Sequence, residues 1–283
     1  MKYPTKCKEE IDSLMDQLME KLNEFNYPKD LYCTKTLCRC FMSSIFSLIR
    51  SAYATIEGRE IVGFNVLGRS ITEYLIDLRY IAANNDVKIN RRFINYYKLL
   101  LYWNRDEFKF IDVDKDQLES NYRNYLANEF SELIITAKKK NDAKDKLSLS
   151  ELDKSVKSKY KKSWSGLNSV DRLNNVIKHY DNSIINKYLP FAFKFLSNYT
   201  HPTVYGCIPY FRTVDHSFYL DYDKKCDAME EEEGVMYLAI EITVEALCKT
   251  LPANESHEID NLVESIVSSS PKLLEIRDSY SDD

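Results

Sequence analysis

Apolar side chains recur three and four residues apart along most of the chain, the spacing of one face of an α-helix. Ile11, Leu14, Met15, Leu18, Met19, Leu22 and Phe25 form one such stripe, which Asn26-Tyr27-Pro28 ends. A second helix is predicted from about Thr36 to Ile56, with Leu37, Phe41, Ile45, Leu48, Ala52 and Ile56 facing inward. A third is predicted from Arg59 to Ala83. Phe93, Tyr96, Tyr97, Leu100 and Trp103 mark a fourth, and Leu118, Tyr122, Tyr125, Leu126, Phe130 and Leu133 a fifth. Further on, Ser169 is placed to cap a helix through Leu173, Val176, Ile177 and Tyr180. The next runs from Ser183 or Tyr188 to Tyr199, with Pro190 near its first turn or kinking it, and Pro202 stops it. Glu230 to Glu233 open a long helix through Val235, Leu238, Ile242, Ala246 and Leu247, with acids at the positive end of its dipole.

The segment from Thr203 to Asp227 is the least helical, and Phe211-Arg-Thr-Val and Phe218-Tyr-Leu fit a small β-hairpin within 208–222. The fold class read from this pattern is all-α, a multi-helix bundle. A single domain is expected over 1–283, its core at about 36–250, with short C-terminal helices over 255–283. Residues 138–165 read as a linker-like basic segment. From Lys138 to Lys162 there are ten Lys and four acids, with Tyr160 as the aromatic. A solvated connection explains this run better than an RNA-binding strip, which needs interleaved aromatic platforms.

Composition agrees with helices: 6 Gly and 7 Pro in 283 residues leave little material for the tight turns of a many-stranded fold. A net charge of -5 argues against a general nucleic-acid binder. The first ten residues are polar, without the apolar core of a secretory leader, and no apolar run reaches the roughly 20 residues of a membrane span. Seven scattered cysteines read as free thiols of a reduced, cytoplasmic protein. Cys33, Cys38 and Cys40 have no matching downstream pair at zinc-ligand spacing, so no metal and no cofactor is expected.

The third helix carries the chemistry that asks for an explanation. Beside its main apolar face runs a second stripe, Val62, Val66, Arg69, Glu73, Ile76 and Tyr80, spaced 4, 3, 4, 3 and 4. A helix apolar on both sides is expected to be buried, so Arg69 and Glu73 are expected in slots where packing favours Leu or Ile. Buried charge is costly unless paired, and these two can pair as i, i+4. Two readings stand open: an ion pair joining helices, or a pocket floor in which Glu73 orients Arg69 toward a phosphate or carboxylate, with Asn65 extending the polar edge. A second polar cluster is Lys194, Ser197, Asn198 and His201, with Lys194 and His201 about two turns apart on one face. His201 at a helix C-terminus is either poised for acid-base work or caps the last carbonyls.

Arg69-Ser-Ile-Thr-Glu73, Trp164-Ser-Gly and Ser197-Asn-Tyr-Thr-His201-Pro202 together resemble a widespread bacterial helical family known as a domain of unknown function, over roughly Ala52 to Pro202. That resemblance implies an all-helical fold in which the Arg/Glu and Ser/His helices meet. A more distant similarity is to HEPN domains, helical bundles that often act as metal-independent ribonucleases in toxin and phage-defence systems. Their Arg-to-His motif is matched here by Lys194, six residues and His201, with Lys in place of the fork-shaped Arg. The similarity implies His201 as general acid or base, Lys194 and Arg69 as stabilisers of phosphoryl charge, and a homodimer. Two functions follow. One is a helical sensor or binding module taking an anionic small molecule or partner at Arg69, Glu73, Ser197, Asn198 and Trp164. The other is a HEPN-like ribonuclease or nucleotide-processing enzyme acting on RNA or a nucleotide.

Overall fold

A computed structural model describes residues 7–58, 60–103, 115–132, 135, 138, 149–160, 163–180, 183–200, 211–214, 217–220 and 230–281. Among the described residues there are eleven helices. They are α1 (Lys8–Glu24), α2 (Thr34–Gly58), α3 (Ile61–Asn84), α4 (Val87–Trp103), α5 (Lys115–Glu129), α6 (Leu149–Lys159), α7 (Ser169–His179), α8 (Ser183–Thr200), α9 (Glu230–Cys248), α10 (Ala253–Ser269) and α11 (Pro271–Ser281). Two strands, β1 (Phe211–Val214) and β2 (Ser217–Leu220), pair antiparallel with Phe211 opposite Leu220 and Val214 opposite Ser217. The chain divides into two compact units, residues 1–85 with 173–283, and residues 86–172.

In the first unit α3 is the central helix, packed against α2, α8 and α9. The α1 stripe behaves as its spacing predicts, with Ile11, Leu14, Met15, Leu18 and Leu22 all buried. Each such side chain contributes about 1.5–3 kcal/mol by leaving water. At the α3–α8 crossing Gly68 permits close approach: a Cβ there would lie 3.3 Å from Leu196 Cδ1. The central helix ends where Asn85 takes a left-handed conformation (φ 43°) and donates its N–H to Ile81 O.

The stripe expected to bury the second side of α3 holds only in part. Arg69, Ile76 and Tyr80 are buried, but Val66 and Glu73 are exposed, as is Tyr74 outside that stripe. With Ser70, which is half-buried, these residues fall together at helical spacing, and the Tyr74 ring meets Phe41 of α2 edge-on.

The second unit is built on α4, α5 and α6. Leu99, Tyr122, Leu126, Phe130, Val156 and Tyr160 form its core. Tyr122 is fully paired, accepting from Trp103 Nε1 at 3.1 Å and donating to Asp153 Oδ1 at 2.5 Å. Within the segment 138–165 that reads as linker-like, residues 149–159 are helical, because Val156 and the adjoining Tyr160 supply an apolar edge that the lysine-rich composition masks. The cap of α7 also shifts by one residue: Asn168 Oδ1, not Ser169, accepts the Asp171 N–H at 2.7 Å. Residues 139–148, Cys207, Cys226 and Asp282-Asp283 lie outside the described residues.

Candidate functional site

Arg69 projects from α3 toward α8, and both of its terminal nitrogens are engaged. Nη1 donates to Phe193 O at 2.6 Å, and Nη2 donates to Glu73 Oε1 at 2.7 Å. The guanidinium carbon lies 3.7 Å from the centroid of the Phe193 ring. The Phe193 carbonyl also accepts from Ser197 Oγ at 2.6 Å. One carbonyl of α8 thus receives both a side chain of its own helix and the arginine of α3. The two partners differ in environment: the Arg69 side chain is 11% exposed and that of Glu73 is 54% exposed. The expectation that both charges are buried is therefore corrected. Glu73 reaches its partner from the solvent face, so the pair carries little of the desolvation cost of a buried one.

The remaining predicted site residues separate. Ser197 meets Arg69 through the shared Phe193 carbonyl. Lys194 is exposed on α8. Asn198 lies in α8 with its side chain outside those described, and His201 lies outside the described residues. Trp164 belongs to the 86–172 unit. It is buried there, edge-on to Phe93 with ring centroids 5.0 Å apart. Arg172 lies 5.6 Å from the Trp164 centroid and donates through Nη1 to Ser163 Oγ at 3.0 Å and Leu167 O at 3.1 Å. Gly166 supplies the left-handed turn at φ 81°. The Trp-Ser-Gly motif is thus a pinned turn with the buried Trp164 as its anchor.

Sequence reasoning missed Arg79, the most deeply buried charge among the described residues. Its Nη2 donates to Glu245 Oε2 at 3.1 Å, and its guanidinium lies 3.6 Å from the Tyr180 centroid. Lys249 Nζ lies 3.6 Å from the same centroid and donates to His179 O at 3.2 Å. Tyr180 closes the arrangement by donating to Arg79 O at 3.1 Å. Burial depresses the affinity of Arg79 for its proton, and Glu245 opposes that shift. The available signal was a charged residue in an apolar row, Leu75, Arg79 and Ala82, on the third side of α3.

A cavity of about 570 Å³ opens among α3, α8 and α9. Phe64, Ile71, Leu196, Met236 and Ile242 supply much of its wall, and no charged side chain lines it among the described residues. Its mouth carries Phe191 and Phe195, both exposed and stacked with centroids 5.5 Å apart. Two buried polar side chains line it. Thr72 is satisfied, donating to Gly68 O at 2.8 Å. Asn65 is 4% exposed and has no hydrogen-bond partner among the described residues. Sequence reasoning had noted Asn65 as the edge of a polar pocket; the structure places it in an apolar one.

These features define an all-α protein whose central helix carries a clamped arginine on one side and an apolar cavity on another. No helix among the described residues is long and apolar enough to cross a membrane. The chain belongs to a family of unknown function, DUF5677, whose profile matches residues 35–218. The match spans α2 to β2, so it includes the α3 and α8 walls of the cavity while α9 follows it. No curated protein and no solved structure is measurably similar to the chain.

Proposed function

We propose that this protein is a binding module whose ligand site is the cavity among α3, α8 and α9, and that Arg69 is the clamp holding α8 against α3. The observation that carries the reading is the contrast between the two polar groups on α3. Arg69 donates from both terminal nitrogens, to Phe193 O and to Glu73, and lies against the Phe193 ring, so its guanidinium is committed to the α3–α8 contact. Asn65 is buried, unpartnered among the described residues and faces a cavity within the size range of about 300–1,000 Å³ typical of small-molecule sites. The anion-binding role expected for Arg69 and Glu73 thereby gives way to a structural one, and the ligand site moves to the neighbouring face of the helix.

The test pairs binding with catalysis. A solvent-sensitive fluorophore should bind wild type saturably and lose binding in Ala192→Trp, which fills the cavity from α8. In parallel, wild type and His201→Ala are incubated with pooled RNA and EDTA. Cleavage by wild type alone overturns the binding-module reading in favour of the metal-independent ribonuclease that the HEPN similarity implies.

A further inference from the structure

The structure points to the class of ligand: we infer that the cavity takes an uncharged, mainly apolar small molecule bearing one carbonyl or comparable hydrogen-bonding group, which Asn65 recognises. This inference rests on the cavity being a binding site. It goes beyond that reading by stating what enters.

Three observations carry it. The wall has no charged side chain among the described residues, so a charged ligand entering this space would lose its hydration without gaining a counter-charge. Arg69, the nearest cation on the same helix, is spent on Phe193 O and Glu73 and does not line the cavity. Asn65 supplies this apolar wall with an amide, which offers two donors and an acceptor to whatever enters. A ligand carbonyl placed against the Asn65 amide keeps that group hydrogen-bonded once water is displaced, while a ligand without a polar group leaves it unmade. A site built to hydrogen-bond its ligand discriminates strongly against analogues that cannot reciprocate. Phe191 and Phe195, stacked and exposed at the mouth, provide a flat apolar entrance suited to such a molecule.

The experiment uses two fluorophores of related size on the full chain. Prodan is neutral and carries one ketone whose emission shifts to the red when it accepts a hydrogen bond. Anilinonaphthalene sulfonate is apolar but anionic. Each is titrated into wild type, Asn65→Leu, Asn65→Ala and Ala192→Trp, all first shown to melt cooperatively. Prodan should bind wild type saturably and at least tenfold more tightly than the sulfonate. Both Asn65 variants should weaken Prodan about three- to tenfold, the equivalent of one neutral hydrogen bond, and shift its bound emission to the blue. Because Leu crowds the cavity and Ala enlarges it, a shift shared by both is assigned to the lost amide. Unchanged Prodan affinity and emission in both variants, or sulfonate binding as tight as Prodan, overturns the ligand class and leaves the site standing. Absence of saturable binding by either probe, or unimpaired binding in Ala192→Trp, overturns the binding-site reading itself.

Discussion

Replacing Arg69 by Met separates a clamp from a buried ion pair, because the two give opposite results at Glu73. Met keeps most of the apolar stem and removes the guanidinium. The loss includes a charge-assisted bond to Phe193 O, worth about 1.5–3 kcal/mol, and a cation–π contact with the Phe193 ring, worth about 1 kcal/mol. The i, i+4 contact to Glu73 adds at most about 0.5 kcal/mol, since the Glu73 side chain is 54% exposed. Phe193 O keeps its bond from Ser197 Oγ, so no buried carbonyl is orphaned. Arg69→Met should therefore cost about 2–4 kcal/mol and Glu73→Gln less than about 0.5 kcal/mol. Were both charges buried, either substitution would strand the other at about 3–5 kcal/mol. The assay is urea unfolding followed by far-UV circular dichroism, with the midpoint shift read at constant slope. Tryptophan emission alone will not serve, because both tryptophans, Trp103 and Trp164, lie in the 86–172 unit while Arg69 lies in the other. Equal costs at the two positions, or an Arg69→Met cost below about 1 kcal/mol, would refute the clamp.

Two further predictions address the rest of the chain. Gly166→Ala places a side chain at φ 81° and its Cβ 3.0 Å from Arg92 Nη2, so it should destabilise the 86–172 unit by about 1–2 kcal/mol. Tryptophan emission is the suitable probe there, because Trp164 adjoins the turn; a variant that unfolds at the wild-type midpoint would contradict the strain argument. Burial raises the Glu241 carboxyl above its usual 4.5 in the folded state, with Arg277 opposing and Glu245 reinforcing the shift. Its contribution to stability is then full below pH 4.5 and is lost as pH rises through the folded value. Glu241→Gln should for that reason melt higher than wild type at pH 7, with the difference disappearing below about pH 4.5; a difference that persists in acid would point to packing instead.

Helical periodicity was a reliable guide where one face of a helix meets a core and the other meets water. In α1 the buried residues are a subset of the stripe read from spacing alone. It was a weaker guide on α3, whose residues face three neighbouring helices and solvent in turn. Val66 is apolar by composition and exposed in the fold, so the second stripe looked continuous when it was not. Spacing also carries no information about partners far away in sequence. Arg79 draws its partners from 166 residues away at Glu245 and 101 residues away at Tyr180, so nothing local marked it. Within α6, a strongly basic composition hid the apolar edge formed by Val156 and Tyr160.

The same dependence on distant partners explains why the sequence points to Arg69 and Glu73 while the cavity that we propose as the site lies on the neighbouring face of α3. A charged pair at i, i+4 attracts attention in a sequence because both members and their spacing are local. The fold then supplied Arg69 with the carbonyl and ring of Phe193, 124 residues away, and so tied it to α8. Asn65 drew less notice, because a single Asn on a helix is ordinary and its significance depends on where the fold puts it. What distinguishes Asn65 is its place: it is an amide in the wall of an otherwise apolar cavity, where a ligand can reach its donors and acceptor, and on that ground we propose the site on α3 there.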